Sequence, residues 1–342
     1  MPEKVPARIA LQPGAGRPFD DDVEQVLGGD GDSPRLPRRQ VGSAPQNLAV
    51  TLMADFTIRT RAWLPSAAIV ALLTQFDVSV SNARTAISRL ARRGVLETDK
   101  QGRNTFYRLS ASSKAHLVLA AHHLAGHPAM AETWDGSWTL AAFSLPKEHS
   151  AQRRALRSQL RWQGFAPLYD GLWVHPTPMG AAGAKSLTDI APGRITVFRG
   201  EHCSFTLPLG RVPLDAWDLT GISRRYREFV AHWQARLAES DFLRVSDAKA
   251  LRVRTAVIEQ YRLLPLLDPA VPLSHMPPDW PRVSAHDTFA AVYDGLARPA
   301  LAHVLHVITD VSGTAPVGIG THTVAEMYAG LGSPAGHDAT DE

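Results

Sequence analysis

The sequence predicts an α+β chain in three parts, and three observations carry that prediction. Between residues 79 and 110, SVSNARTAISRLARRGVLETDKQGRNTFYRLS, a helical apolar period gives way to two short strands around a glycine turn. With the apolar helices before it, this stretch makes an N-terminal winged helix-turn-helix. Between about 134 and 218 the order strand-helix-strand-strand-helix-strand is that of a ferredoxin-like unit. From 219 to 308 the pattern is mainly helical, interrupted only by the proline-rich stretch 261–281.

Each element has its own local reason. Residues 1–45 are rich in Pro, Gly and charge, with acidic FDDDVEQVLGGDGDS followed by basic PRLPRR, and read as a disordered extension. The basic run would add nonspecific phosphate affinity. Residues 46–58 form a short apolar helix and Leu64 to Phe76 a second, with Pro65 suited to its first turn. In the third helix Ala83, Ala86, Ile87 and Leu90 share one stripe, Ser79 or Ser81 caps the start, and Gly94 ends it. The opposite face carries Ser81, Thr85, Ser88, Arg89 and Arg92, flanked by Asn82 and Arg84. Strands at 95–98 and 105–109 then enclose DKQGRN, which puts Lys100 and Arg103 near a hairpin tip.

Ser112 to Ala125 reads as a connecting helix in a linker over 112–133. Its His116, His122, His123 and His127 lack Cys or carboxylate partners at ligand spacing, so no metal is assigned. SWTLAAFSLP, 137–146, is a strand whose mixed apolar character implies burial on both faces. HSAQRRALRSQLRWQG is a helix, FAPLYDGLWVHP a hairpin around Asp170-Gly171, 178–190 a weak helix and 194–201 a strand. Ile222, Tyr226, Phe229, Val230, Trp233 and Leu237 give the next helix a core stripe. A further helix spans 248–264, and 283–308 is a helix or helix pair broken near Pro299. Residues 309–342 read as a disordered tail.

Composition limits the functions open to such a chain. A net charge of +3 is modest, but residues 47–115 hold ten Lys/Arg against four Asp/Glu. The excess falls on the helix and hairpin, where Arg, Asn and Ser suit base edges in a major groove and Lys100 and Arg103 suit phosphates. The DNA-binding set is therefore Ser81, Asn82, Arg84, Thr85, Ser88, Arg89, Arg92, Lys100 and Arg103. The single cysteine, Cys203, excludes an intrachain disulfide framework, and its neighbour His202 points to the other face of a strand, so the thiol reads as incidental. No signal peptide or spanning segment is evident, which places the chain in the cytoplasm, with the nucleoid. G-x-S-x-G, Walker A, G-x-G-x-x-G and H-E-x-x-H motifs are all missing, so no enzyme activity is assigned.

NARTAISRLARRGVLE and GRNTFYRLS resemble the recognition helix and wing of the PaaX family, bacterial repressors of phenylacetate degradation. YRLLPLLDPAVPLSHMPPDWP, 261–281, is similar to that family's C-terminal signature, and 134–218 to its middle domain, which is Cas2-like. The likeness covers about residues 46–306. It implies a dimeric repressor, bound to operator DNA through two recognition helices and released by an aryl- or acyl-CoA effector, phenylacetyl-CoA first of all. Arginines for the CoA phosphates and an aromatic wall for the aryl group would come from Arg224, Arg225, Tyr226, Arg227, Trp233, Arg262 and Trp280, each with a purely structural role as its alternative. Cas2 nucleases carry a metal-binding Asp at the end of the first strand; here that place reads Ser144-Leu145-Pro146, against a nuclease. A metal-dependent nuclease and a nonspecific architectural DNA binder remain the alternatives.

Overall fold

A computed structural model describes residues 45–202, 210–239 and 242–331. The expected N-terminal extension (apart from Pro45), Cys203 and the last eleven residues lie outside them. The N-terminal module opens with α1 (Pro45–Thr57), β1 (Leu64–Pro65), α2 (Ser66–Thr74) and α3 (Val80–Arg92). It closes with β2 (Leu96–Gln101) and β3 (Asn104–Leu109), in a sheet of order β1-β3-β2. Ala83, Ala86, Ile87 and Leu90 are the buried stripe of α3; Ser79 Oγ accepts from the Asn82 N–H at 3.2 Å, and Gly94 takes φ +70° just past the end. The hairpin is longer than expected. Gln101 pairs with Asn104, so the turn is Gly102-Arg103 alone, with Gly102 at φ +60°.

The second helix does not begin at Leu64. Leu64 and Pro65 are extended and pair with Tyr107 and Phe106, so α2 starts at Ser66. The residue before a proline is steered away from helical angles, which frees Leu64 to pin the hairpin to the module.

Next comes α4 (Ala111–Ala131), longer than expected, with Pro128 inside its last turn. The middle unit is β4 (Ser137–Phe143), α5 (Ser150–Trp162), β5 (Ala166–Tyr169), β6 (Leu172–His175), α6 (Ala181–Ile190) and β7 (Ile195–Glu201). The sheet order β5-β6-β4-β7, antiparallel throughout, is the ferredoxin-like arrangement. β4 is covered on both faces. Ala141 packs with Leu156, Leu160, Trp173 and Leu187 beneath the helices, while Trp138 joins the core shared with the rest of the chain.

The C-terminal part is helical: α7 (Leu219–Leu237), α8 (Asp247–Tyr261), α9 (Leu264–Leu267), α10 (Arg282–Gly295), α11 (Ala297–Ser312) and α12 (Val324–Ala329). The break between α10 and α11 falls at Leu296, and Pro299 lies in the first turn of α11, where its missing N–H costs nothing. The proline-rich stretch is fastened by Asp268. Arg282 grips its carboxylate with Nε at 3.0 Å and Nη2 at 2.5 Å, and the Trp280 indole donates to it at 3.0 Å.

The expected disordered tail is corrected over 309–331. Gly313 ends α11 at φ +71°, and the chain then runs as a strap back across the N-terminal module. Thr60 Oγ1 donates to the Gly318 carbonyl at 2.5 Å, Gly320 N–H to the Phe56 carbonyl at 3.0 Å, and Arg59 pairs with Glu326 at 2.5 Å. Thr323 and Glu326 form a capping box for α12, which buries Val324 and Met327. The Tyr328 ring stacks on His122 of α4 at 5.3 Å. Sequence periodicity missed the strap because its order comes from these distant partners, not from a local period. No helix among the described residues is long and apolar enough to cross a membrane.

Candidate nucleic-acid interface and interdomain cavity

The helical period that buries four apolar residues of α3 turns its polar residues outward. Ser81, Asn82, Arg84, Thr85, Ser88, Arg89 and Arg92 are all exposed, as are Lys100 on β2 and Arg103 in the hairpin turn. Not every cation of the segment is available. Arg61 and Arg108 both pair with Glu97, Arg61 Nε also donates to the Leu109 carbonyl at 2.8 Å, and Arg108 lies 4.3 Å over the Trp63 ring. Burial would raise the Glu97 carboxyl, but the two arginines reverse this and hold it below its ordinary value. These two cations brace the hairpin. Arg84, Arg89, Arg92, Lys100 and Arg103 have no ion pair among the described residues.

The proposed effector residues do not form one site. Tyr226 and Trp233 lie on the buried stripe of α7, and the Trp233 indole is satisfied by Gln260 Oε1 at 3.0 Å. Arg224 and Arg227 are exposed on the other side of that helix, and Arg225 is half-buried. Arg227 and Trp280 border an open groove between α7 and α10, whereas Arg262 borders a different, more enclosed space. Helical geometry explains the split: residues 226 and 233 share one face, and 224 and 227 project from another.

That second space is a cavity of about 460 Å³ between the N-terminal module and the helical part. Its apolar wall includes Val50 of α1, Leu117 and Leu124 of α4, Ile258 of α8, Leu266 of α9 and Met327 of α12. Asp55, Tyr293 and His322 bring to its lining a buried polar cluster that the sequence pattern does not reveal. Arg254 donates to Asp55 through Nε at 3.0 Å and Nη2 at 2.8 Å, to the His322 carbonyl at 2.8 Å and to the Tyr293 carbonyl. Its guanidinium lies 3.5 Å over the Tyr293 ring. Tyr293 has one hydroxyl proton and gives it to Asp55 Oδ1 at 2.7 Å, so its oxygen accepts from His322 Nε2, 3.1 Å away. The only signal in the sequence was one carboxylate, Asp55, inside an otherwise apolar helix. One turn away on α1, Thr51 Oγ1 donates to Glu259, which also holds Arg262. His127 Nε2 and Arg262 Nε are buried with no hydrogen-bond partner among the described residues.

The cluster fixes its own protonation. Burial alone would raise Asp55; the Arg254 guanidinium, aided by His322 and Tyr293, more than offsets this and keeps it ionised. Burial depresses His322 to about 4, against the pull of Asp55. A histidine lowered from 6.5 to about 4 contributes stability that is complete above 6.5 and lost as pH falls towards 4, on the order of 3 kcal/mol in all. Urea unfolding measured from pH 7 down to pH 4 should show this loss, and His322→Gln should flatten the slope in that window. No group of three or more His, Cys, Asp or Glu among the described residues is placed to hold a metal ion.

Three family models match the chain. The PaaX-like protein model covers residues 44–113, the PaaX protein central Cas2-like domain 131–209, and the PaaX-like protein C-terminal domain 217–306. The chain is 29% identical over 250 residues to the transcriptional repressor PaaX of Escherichia coli (strain K12), spanning 71% of this chain and 76% of that protein. An uncharacterized protein of Mycobacterium tuberculosis superposes with a TM-score of 0.45 at 21% identity, over 74% of this chain and 97% of that one. The strap and α12 lie beyond the segments that the family models match.

Proposed function

The chain belongs to the PaaX family, and on that premise we propose that it is a DNA-binding transcriptional repressor whose residues 45–110 act as a winged helix-turn-helix. The observation that carries this reading is the outward face of α3, where Arg84, Arg89 and Arg92 stand exposed and free of ion pairs among the described residues, beside a hairpin bearing Lys100 and Arg103. The helix enters the major groove and the hairpin lies on a flanking phosphate or minor groove. The protein works in the cytoplasm, at the nucleoid.

The repressor acts as a homodimer built on the Cas2-like unit. Among the described residues β7 is one of the two edge strands of its sheet, and Val197 and Phe198, on opposite faces, are 38% and 50% exposed. An edge strand with apolar residues on both faces invites pairing with a second copy. The regulated genes serve aromatic, phenylacetate-type catabolism, and the effector is a CoA thioester such as phenylacetyl-CoA. The cavity suits its acyl end: its volume lies within the roughly 300–1,000 Å³ range of small-ligand sites, and its walls come from both the DNA-reading module and the helical part. A ligand that prefers a different spacing of those walls displaces the heads from their half-sites.

The test is a gel shift at fixed salt on DNA upstream of the protein's own gene, titrated with phenylacetyl-CoA, acetyl-CoA and phenylacetate. Specific retardation relieved by the aryl thioester alone is the expected result. Retardation insensitive to all three rejects that effector, and no specific site in a genome-wide selection rejects the repressor. On the selected site, Arg89→Ala should cost about 1–3 kcal/mol and relax specificity at one position; unchanged affinity removes Arg89 from the reading set.

A further inference from the structure

Five cations of α3 and the hairpin make no ion pair among the described residues, and the same chain carries an acidic stretch. Residues 19–33, FDDDVEQVLGGDGDS, hold six carboxylates, at Asp20, Asp21, Asp22, Glu24, Asp30 and Asp32, and no Lys or Arg. The start of α1 shows where this arm joins the described structure. Gln46 Oε1 accepts from Arg93 Nη1 at 3.2 Å, so the arm meets the module beside the C-terminal end of α3. The thirteen residues of α3 span about 20 Å. The thirteen steps from Pro45 back to Asp32 can reach about 45 Å, so Asp32 can lie anywhere along the helix.

We propose that the acidic stretch 20–32 docks on the exposed basic face of α3 and the β2–β3 hairpin and competes there with DNA. The inference rests on the DNA-binding reading of that face. Six carboxylates meet five cations that no carboxylate of the described structure neutralises. Tethering places the arm at an effective concentration of order millimolar, so weak contacts suffice. DNA displaces the arm by offering a denser row of anions, so the arm weakens binding by a common factor at every site that uses this face.

Two measurements on the full chain decide it. The first uses no DNA: zero-length carbodiimide coupling joins the Lys100 amine to a touching carboxylate as an amide, with loss of water, and mass spectrometry locates the link. Lys100 linked to a carboxylate within 20–32, and lost in Lys100→Arg, is the expected result. Links no more frequent at Lys100 than at exposed Lys147 and Lys249 overturn the proposal. In a mixture of heavy- and light-isotope chains, links between the two labels would assign the arm to a second copy and overturn the intrachain placement. The second measurement neutralises the arm with Asp20→Asn, Asp21→Asn, Asp22→Asn, Glu24→Gln, Asp30→Asn and Asp32→Asn. Affinity for a duplex of arbitrary sequence should rise about 3–10-fold at low salt, with the gain vanishing at high salt. A link at Lys100 with unchanged DNA affinity overturns the competition. A link at Lys100 in a chain that binds no DNA leaves the docking intact and sinks the DNA-binding reading instead.

Discussion

Asp55→Ala is expected to lower the unfolding free energy by about 3–5 kcal/mol, read as a shift of the urea midpoint at neutral pH. The size follows from what the substitution leaves behind. Arg254 is fully buried, and its charge stays in the interior with no carboxylate bonded to it among the described residues, left to the carbonyls of Tyr293 and His322 and the face of the Tyr293 ring. Tyr293 loses the acceptor for its proton as well. Removing the pair together, with Asp55→Leu and Arg254→Met, should recover most of the loss, since an apolar pair of similar volume avoids the desolvation cost of both charges. A double variant as unstable as Asp55→Ala would show that the cluster acts through its carbonyl contacts to the strap, not through the ion pair. The cluster joins α1, α8, α10 and the strap, so this loss is also a loss of the fastening between the N-terminal module and the helical part. An altered response to effector, alongside the altered stability, would link that fastening to the cavity it borders.

The legible and illegible parts of this chain differ by the range of the interactions that form them. α3 was readable because Ala83, Ile87 and Leu90 repeat on one face within a single helix, so the exposed polar set follows from the period alone. The ferredoxin-like unit was readable from element order, with Asp170-Gly171 marking its hairpin. Leu64–Pro65 was misread because a two-residue strand exists only by pairing with Phe106 and Tyr107, some forty residues away. The strap was misread for the same reason: residues 313–331 owe their place to Phe56, Thr60, His122 and Arg254. The cavity was out of reach altogether, since its walls come from α1, α4, α8, α9, α10 and α12 and leave no short motif. Of the seven residues expected to meet an effector, Arg262 alone lines this cavity; Arg227 and Trp280 border the separate groove between α7 and α10, and Tyr226 faces the core.

The largest functional effect is expected from Arg84→Ala, Arg89→Ala and Arg92→Ala combined. At about 1–3 kcal/mol for each lost contact, and less than additive for neighbours on one helix, operator affinity should fall by about 10²–10⁴-fold. The fold should be untouched, because all three side chains are exposed and make no ion pair among the described residues; an unchanged urea midpoint is the internal control. Salt dependence then separates the roles along this surface. A cation that holds a phosphate releases counterions on binding, and its loss lowers the slope of log K against log salt by about 0.9, whereas a cation hydrogen-bonded only to a base edge leaves the slope nearly unchanged while altering sequence preference. Lys100→Ala and Arg103→Ala are expected in the first class, since they stand on the hairpin, and Arg89→Ala in the second. A slope that drops equally for all five, with no change in preferred sequence, would mean that α3 lies along the backbone and not in the groove. The architectural reading would then describe this protein better than the repressor does.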